Sequence, residues 1–253
     1  MNMEHNIKLI ALDMDGTLLR DDHDISEENR KAVQRAKDEG IHVVVSTGRP
    51  IARSKHIIES LGESEYAVTV NGGEIYDRHY NLVERQVLEM TEVKRLWELQ
   101  QEHSIRLWTS TVQGAFDSDY TFEKPIDEYD WLKIGFEVPD ESIREVILKE
   151  VTANPALEVT NSSPVNIEIN PAGVSKAAAL HKVSDWLGFS INEVMAVGDS
   201  LNDMAMIKEA GIGVAMGNAQ DEVKKEADLV TKSNMEDGVA EVIHRIIDAK
   251  AGV

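Results

Sequence analysis

The chain has 253 residues, 42% apolar and 28% charged, with no cysteine and a formal net charge of −20 at pH 7. The missing cysteines exclude disulfides, thiolate catalysis and Cys-based metal sites. So acidic a balance argues against nucleic acid as a partner, because its phosphates need a basic surface. It does not exclude a small phosphorylated substrate, since salt screens bulk charge beyond about 8 Å. No apolar run approaches the ~20 residues of a membrane span. Residues 1–8 lack the apolar stretch of a secretory signal. The expected location is therefore cytoplasmic, with no membrane partner.

Leu9-Ile10-Ala11-Leu12 is a short apolar run that ends in Asp13-Met14-Asp15-Gly16-Thr17. It reads as a buried strand followed by a sharp turn. The two carboxylates then sit at the strand's carboxyl end, the edge where open α/β sheets bind ligands. Acids this close repel unless a cation lies between them or one holds a proton. A hard divalent ion, Mg2+ above all, is the simplest answer, which makes Asp13 and Asp15 candidate ligands. A calcium loop also begins D-x-D-G, but it needs Gly at its sixth position and Glu at its twelfth. This chain has Leu18 and Asp24 there.

Ser26 suits an N-cap for a helix that Gly40 ends. Residues 41–45 form a second apolar strand leading into Ser46-Thr47-Gly48-Arg49, and Pro50 opens another helix. A hydroxyl and free amides at such a junction can hold an anion, although Ser46 or Thr47 acting only as a cap is the commoner case. A third strand, residues 66–70, ends in Asn71-Gly72-Gly73, and a hairpin with arms 74–77 and 82–88 follows.

From residue 83 to 170 the rhythm changes. A helix from about residue 91, strands over 105–111 and 133–138, a helix capped by Asp140, and strands over 157–160 and 165–169 are expected. The pattern suits an antiparallel sheet with helices on one face, inserted as a separate α+β unit. Trp97, Trp108 and Trp131 lie in this insert. Most such residues are core, but a cap that closes on a small ligand could use one as a wall. Asn161-Ser162-Ser163 matches a glycosylation sequon and is read as an ordinary loop.

After Pro171-Ala172-Gly173, a candidate hinge, alternating βα units resume. Lys176 opens a helix that runs to Leu187, and Ser190 with Glu193 matches a capping box. Residues 194–197 are a strand ending in Gly198-Asp199-Ser200-Leu201-Asn202-Asp203. A lysine in a helix's first turn faces the wrong end of the macrodipole, which points to an anionic partner. Strands over 212–216 and 228–231 and a helix over 235–249 complete the chain. Gly211, Gly213 and Gly217 miss the dinucleotide fingerprint in both spacing and place.

Four strand ends therefore carry polar groups that neighbouring parallel strands bring to one edge: Asp13 with Asp15, Ser46 with Thr47, Asn71, and Asp199 with Asn202 and Asp203. His5 and His42 lie at the opposite ends of their strands, which disfavours histidine catalysis. Acids, a divalent ion, a lysine and a hydroxyl fit phosphoryl transfer. Carboxylate attack on a phosphate dianion meets about 4 kcal/mol of repulsion per unit charge at ~4 Å and an effective dielectric of ~20, which Mg2+ and Lys176 can offset. Asp13 would attack to give an aspartyl-phosphate, and Asp15 would serve as acid and then base. Thr47, the Gly48 amide, Lys176 and Asn202 would hold the phosphoryl oxygens. Asp199 would complete the Mg2+ shell, with Asp203 bound directly or through water.

Together with Gly173-Val174-Ser175-Lys176, these motifs resemble in order and spacing those of the haloacid dehalogenase (HAD) superfamily, and more narrowly its Cof-type phosphatases. Val214-Ala215-Met216-Gly217-Asn218-Ala219 and Glu236-Asp237-Gly238-Val239 are similar to that branch's C-terminal signatures. The resemblance implies an α/β fold: a Rossmann-like core of residues 1–82 and 171–253 around a parallel sheet, with residues 83–170 as an α+β cap. It also implies Asp13 as nucleophile, Asp15 as acid/base, Thr47 and Lys176 as second- and third-motif residues, and Asp199 as a metal ligand. A sugar phosphate or similar small phosphorylated metabolite is the expected substrate, with Arg49, Arg53 and Asn71 as candidate contacts. A phosphotransferase or phosphomutase, or a slowly turning over phospho-aspartate regulatory domain, are the rival readings. The sequence leaves the oligomeric state open.

Overall fold

The structure, a computed structural model, describes residues 6–117, 119 and 122–250, so His5 lies outside the described residues. Alternating strands and helices lay down the first layer: β1 (Leu9–Leu12), α1 (Glu27–Asp38), β2 (His42–Ser46), α2 (Ile51–Glu59) and β3 (Tyr66–Thr69). The Ser26 hydroxyl caps α1 by accepting from the Asn29 N–H. A hairpin of β4 (Glu74–Asp77) and β5 (Leu82–Arg85) follows.

The chain then builds α3 (Met90–His103), β6 (Arg106–Thr111), β7 (Gly114–Asp117), β8 (Trp131–Glu137), α4 (Glu141–Thr152), β9 (Leu157–Thr160) and β10 (Asn166–Pro171). It returns through α5 (Lys176–Leu187), β11 (Val194–Gly198), α6 (Met204–Glu209), β12 (Ile212–Ala215), α7 (Asp221–Glu226), β13 (Leu229–Val230) and α8 (Gly238–Lys250). The last helix starts later than residue 235 because Asp237 is left-handed and divides it from a 3-10 turn over Asn234–Glu236.

The larger sheet has the order β13-β12-β11-β1-β2-β3-β4-β5. It is parallel from β13 to β3 and antiparallel across the final hairpin. The expected boundary at residue 82 falls inside β5, which pairs along β4, so the passage to the second sheet begins only beyond Arg85. That second sheet, β7-β6-β8-β10-β9, is antiparallel throughout. The fold is thus α/β with a parallel-sheet core and a separate antiparallel cap.

Alternation divides the cap sheet into two faces. Leu107, Ile134, Phe136, Ile167 and Ile169 pack with Val93, Leu96 and Ile147 of α3 and α4 in one apolar cluster. The opposite positions, Trp108, Lys133, Gly135, Glu168 and Asn170, form the other face. Lys133, Glu168 and Asn170 are nevertheless buried, because this polar face is turned to the carboxyl edge of the parallel sheet rather than to water. Among the described residues, no helix is long and apolar enough to cross a membrane.

Candidate active site

The central strand of the larger sheet, β1, delivers Asp13 to its carboxyl edge, where the Asp13 N–H donates to the Val197 carbonyl of β11 at 3.0 Å. The next strand pair sets Leu12 against Val45, which puts Ser46 and Thr47 at the same edge. β11 ends beside them and carries Asp199 and Asp203. The Ser175 hydroxyl caps α5 by accepting from the Ala178 N–H, and this aims the first residue of the helix, Lys176, into the same place.

The Lys176 ammonium is fully buried and donates to Asp13 Oδ1 at 2.5 Å and to Asp203 Oδ1 at 2.6 Å. Asp203 Oδ2 in turn accepts the N–H groups of Asp199 at 2.9 Å and Ser200 at 3.1 Å. The carboxylates of Asp13, Asp199 and Asp203 lie within 4.8 Å of one another. Burial pushes the Asp13 carboxyl well above the usual range, the Asp203 and Asp199 charges push it further, and Lys176 opposes them. Burial and then Asp203 raise Asp199 to about 7. Burial alone would lower the lysine, but the charges of Asp13 and Asp203 outweigh it and hold Lys176 above its ordinary value. Two buried acids, Asp13 and Asp203, share one buried cation, with the partly buried Asp199 beside them, a deficit of positive charge that a divalent ion would fill.

Backbone approach is close here. Gly16 is left-handed at φ 75°, and a Cβ on it would stand 2.5 Å from Asp199 Oδ2. Only a residue without a side chain lets the turn after Asp15 pass this carboxylate.

Other predicted residues take different places. Asp15 is half exposed, and Arg49 holds it in a two-pronged pair, Nε to Oδ2 at 2.8 Å and Nη2 to Oδ1. Its carboxylate lies outside the cluster formed by Asp13, Asp199 and Asp203. Thr47 is fully buried, and its hydroxyl accepts the Arg49 N–H at 3.1 Å. Asn71, left-handed at φ 58°, spends its amide on Glu168 Oε2 at 2.6 Å and Asn170 Oδ1 at 3.3 Å. It bridges to the cap sheet and does not line the cavity. The Asn202 amide donates to Asn71 Oδ1 at 3.4 Å, and its own Oδ1 is a buried acceptor without a donor among the described residues. His42 packs at 5.3 Å on Phe189, away from the edge.

A cavity of about 720 Å³ opens between the two sheets. Asp13, Asp15, Gly48, Arg49, Arg53, Asp199 and Asn202 line its base, and Trp108, Phe116, Lys133, Ser162 and Glu168 line its roof. Lys133 ties the two together, donating to the Gly48 carbonyl at 2.7 Å and to Glu168 Oε2 at 2.9 Å. Burial would raise the Glu168 carboxyl, but Lys133, with hydrogen bonds from Ser162 and Asn71, holds it below the usual range. Sequence reasoning missed Lys133 and Glu168. The signal was the alternation of charged and apolar residues in β8 and β10, which says that a face is polar but not what it meets.

A family model described as haloacid dehalogenase-like hydrolase matches residues 10–130 and 116–243. The chain belongs to the haloacid dehalogenase-like hydrolases. A member from Bacillus subtilis (strain 168), 5-amino-6-(5-phospho-D-ribitylamino)uracil phosphatase YcsE, is 52% identical over 238 residues, spanning 94% of this chain and 95% of its own. A second phosphatase of that description from the same organism, YitU, is 34% identical, with 94% and 97% covered. A solved haloacid dehalogenase-like hydrolase from B. subtilis superposes with a TM-score of 0.85 at 28% identity, covering 94% of this chain and 99% of the other. As a Cof-type member of this family the chain is an enzyme, a phosphatase.

Proposed function

We propose that the enzyme hydrolyses the phosphate monoester of a small cytoplasmic metabolite through an aspartyl-phosphate on Asp13, with residues 1–85 and 171–253 as the catalytic unit and 86–170 as the cap. The observation that carries this reading is the buried set of Lys176 between Asp13 and Asp203, at the base of a cavity closed by a polar cap face. By likeness to YcsE and YitU, the favoured substrate is 5-amino-6-(5-phospho-D-ribitylamino)uracil, a polyol phosphate bearing a flat heterocycle.

The donor set fits Mg2+: three carboxylates, oxygen only, in a chain with no cysteine. Asp13 and Asp199 would hold the ion. Asp203, whose oxygens already accept three N–H groups, would act through water and by fixing Lys176. When bound, the ion supplies positive charge against the phosphoryl oxygens.

Only Oδ1 of Asp13 accepts a hydrogen bond among the described residues, which leaves its other oxygen to attack phosphorus. The ester P–O bond breaks as the new P–O bond forms, and Asp15 gives its proton to the departing oxygen. Water then attacks the phosphorus, passes a proton to Asp15 and restores Asp13. Arg49 keeps Asp15 at the cavity mouth until substrate arrives. Thr47, the Gly48 amide, Lys176 and Asn202 receive the phosphoryl oxygens, a mostly electrostatic service.

The test is Asp13→Asn assayed with Mg2+ on an aryl phosphate and on the ribitylaminouracil phosphate. A loss of at least about a thousandfold on both is expected. Substantial residual turnover removes the covalent mechanism, while turnover of the aryl ester alone by the unaltered enzyme removes only the substrate assignment.

A further inference from the structure

Two aromatic residues of the cap line the cavity among the described residues: Phe116 packs against the cap's apolar core, whereas Trp108 lies outside it. Trp131 is fully buried, and Trp97 stacks edge-on against it at 6.1 Å inside the cap core. Trp108 lies elsewhere, outside the apolar cluster and along the cavity. In the register of the cap sheet it stands directly opposite Gly135 on β8. A Cβ at Gly135 would come within 2.1 Å of indole Cε2 and 2.3 Å of Cζ2, so the missing side chain lets the ring lie against the neighbouring strand. Two positions earlier on the same face of β8, the Lys133 ammonium sits 4.8 Å from the ring centroid, and it is pinned by Glu168 and the Gly48 carbonyl.

The ring is thus held against backbone at Gly135, with a buried cation over it in a cation–π contact. That cation reaches the peptide next to Thr47, and so joins the indole to the catalytic end of the cavity. An aromatic face fixed in this way costs a ligand little entropy to meet and rewards another flat π-system. Neither a sugar nor an extended polyol has such a face to offer.

We infer that Trp108 is a specificity-determining residue that stacks on a planar heterocycle at the non-phosphorylated end of the substrate. This rests on the phosphatase reading above and deepens it: the enzyme selects polyol phosphates that end in a flat nitrogen heterocycle over those that do not. Gly135 sets the wall by leaving room for it, and Lys133 sets its position. Stacking of a base on an aromatic side chain is typically lost by about five- to a hundredfold when the ring is removed.

The test compares the Mg2+-loaded enzyme with Trp108→Leu, Trp108→Phe and Gly135→Ala variants on two esters, 5-amino-6-(5-phospho-D-ribitylamino)uracil and ribitol 5-phosphate, which differ by the heterocycle. The ratio of their kcat/KM values should fall about tenfold in Trp108→Leu, fall similarly in Gly135→Ala where the ring is displaced, and recover to within about threefold in Trp108→Phe. Binding of the two dephosphorylated products, measured by calorimetry on the same proteins, reads the wall without chemistry. The heterocyclic product should bind the unaltered enzyme at least about tenfold more tightly than ribitol, and Trp108→Leu should erase that difference. An unchanged ratio in folded Trp108→Leu, or equal binding of both products by the unaltered enzyme, overturns the inference. Failure of Asp13→Asn to abolish turnover would overturn the mechanism and leave the binding comparison standing.

Discussion

Replacing Lys176 with Met removes the single buried cation among Asp13, Asp199 and Asp203 and leaves the volume nearly filled. Removing one partner of a buried ion pair typically costs about 3–5 kcal/mol, because a charge is left without compensation. Lys176 is fully buried with two carboxylate partners at 2.5 and 2.6 Å, so the upper part of that range applies when all the acids are ionised. For a chain of this size the loss corresponds to a fall in melting temperature of roughly 10 °C or more.

The pH sets how much of this appears. Burial raises the Asp13 carboxyl well above its usual range and Asp199 to about 7, so Asp199 holds its proton at pH 5 and has shed it at pH 8.5, where the variant leaves one more charge uncompensated. Lys176 itself, raised above 10.5 in the folded protein, stays charged across the whole window and adds no slope of its own. Thermal unfolding with a chelator present, at pH 5 and pH 8.5, should therefore show a penalty at least about twice as large at the higher pH. An equal penalty at the two pH values would mean that shape rather than charge gives Lys176 its place, and a shift within a degree at pH 8.5 would refute the account of the site.

Three other outcomes follow from the geometry. The unaltered chain without metal should lose stability as pH rises through about 7, because an acid whose folded pKa is raised stabilises only while protonated; Asp199 alone accounts for about 4 kcal/mol, at ~1.4 kcal/mol per unit from 3.8 to about 7. Millimolar Mg2+ should flatten that slope in a calorimetric scan. Gly16→Ala should destabilise by about 1–2 kcal/mol through its positive φ and, with a Cβ 2.5 Å from Asp199 Oδ2, raise the Mg2+ concentration giving half-maximal activity. Lys133→Met should cost about 3–5 kcal/mol in denaturant unfolding by stranding Glu168 in the buried interface, and adding Glu168→Gln should restore part of it.

Much of the core was legible because each strand end announces itself: an apolar run that fills a parallel sheet stops at Asp13, at Ser46 and again at Gly198. Lys176 was legible for a different reason, its unfavourable place at a helix start. The cap gave less away. β7, Gly114–Asp117, went unpredicted since glycine and alanine open it and its residues are only half-buried. Lys133 and Glu168 were not singled out because alternation reports which face a side chain takes, whereas its burial depends on another sheet some distance away in the chain. The 161–163 segment looked like an ordinary loop, yet its Asn161 carbonyl accepts the Asn202 N–H at 3.0 Å and Ser162 bonds Glu168. The pairing of Asp15 with Arg49 was not legible either, because two acids one residue apart suggest a shared target, while the turn sends the second carboxylate outward to Arg49.

The junction at Lys133 has a kinetic meaning. Both members of the ion pair, Lys133 and Glu168, belong to the cap sheet, so parting the two sheets never strands a bare charge on either side. What must break there are hydrogen bonds from Lys133 to the Gly48 carbonyl, from Asn71 to Glu168 and Asn170, and from Asn170 to the Val70 carbonyl, and water can replace each of them. Were the two sheets to part at this junction, no unpaired ion would be exposed, so the rate of such an opening should vary little with ionic strength even though the pocket beneath is crowded with charge.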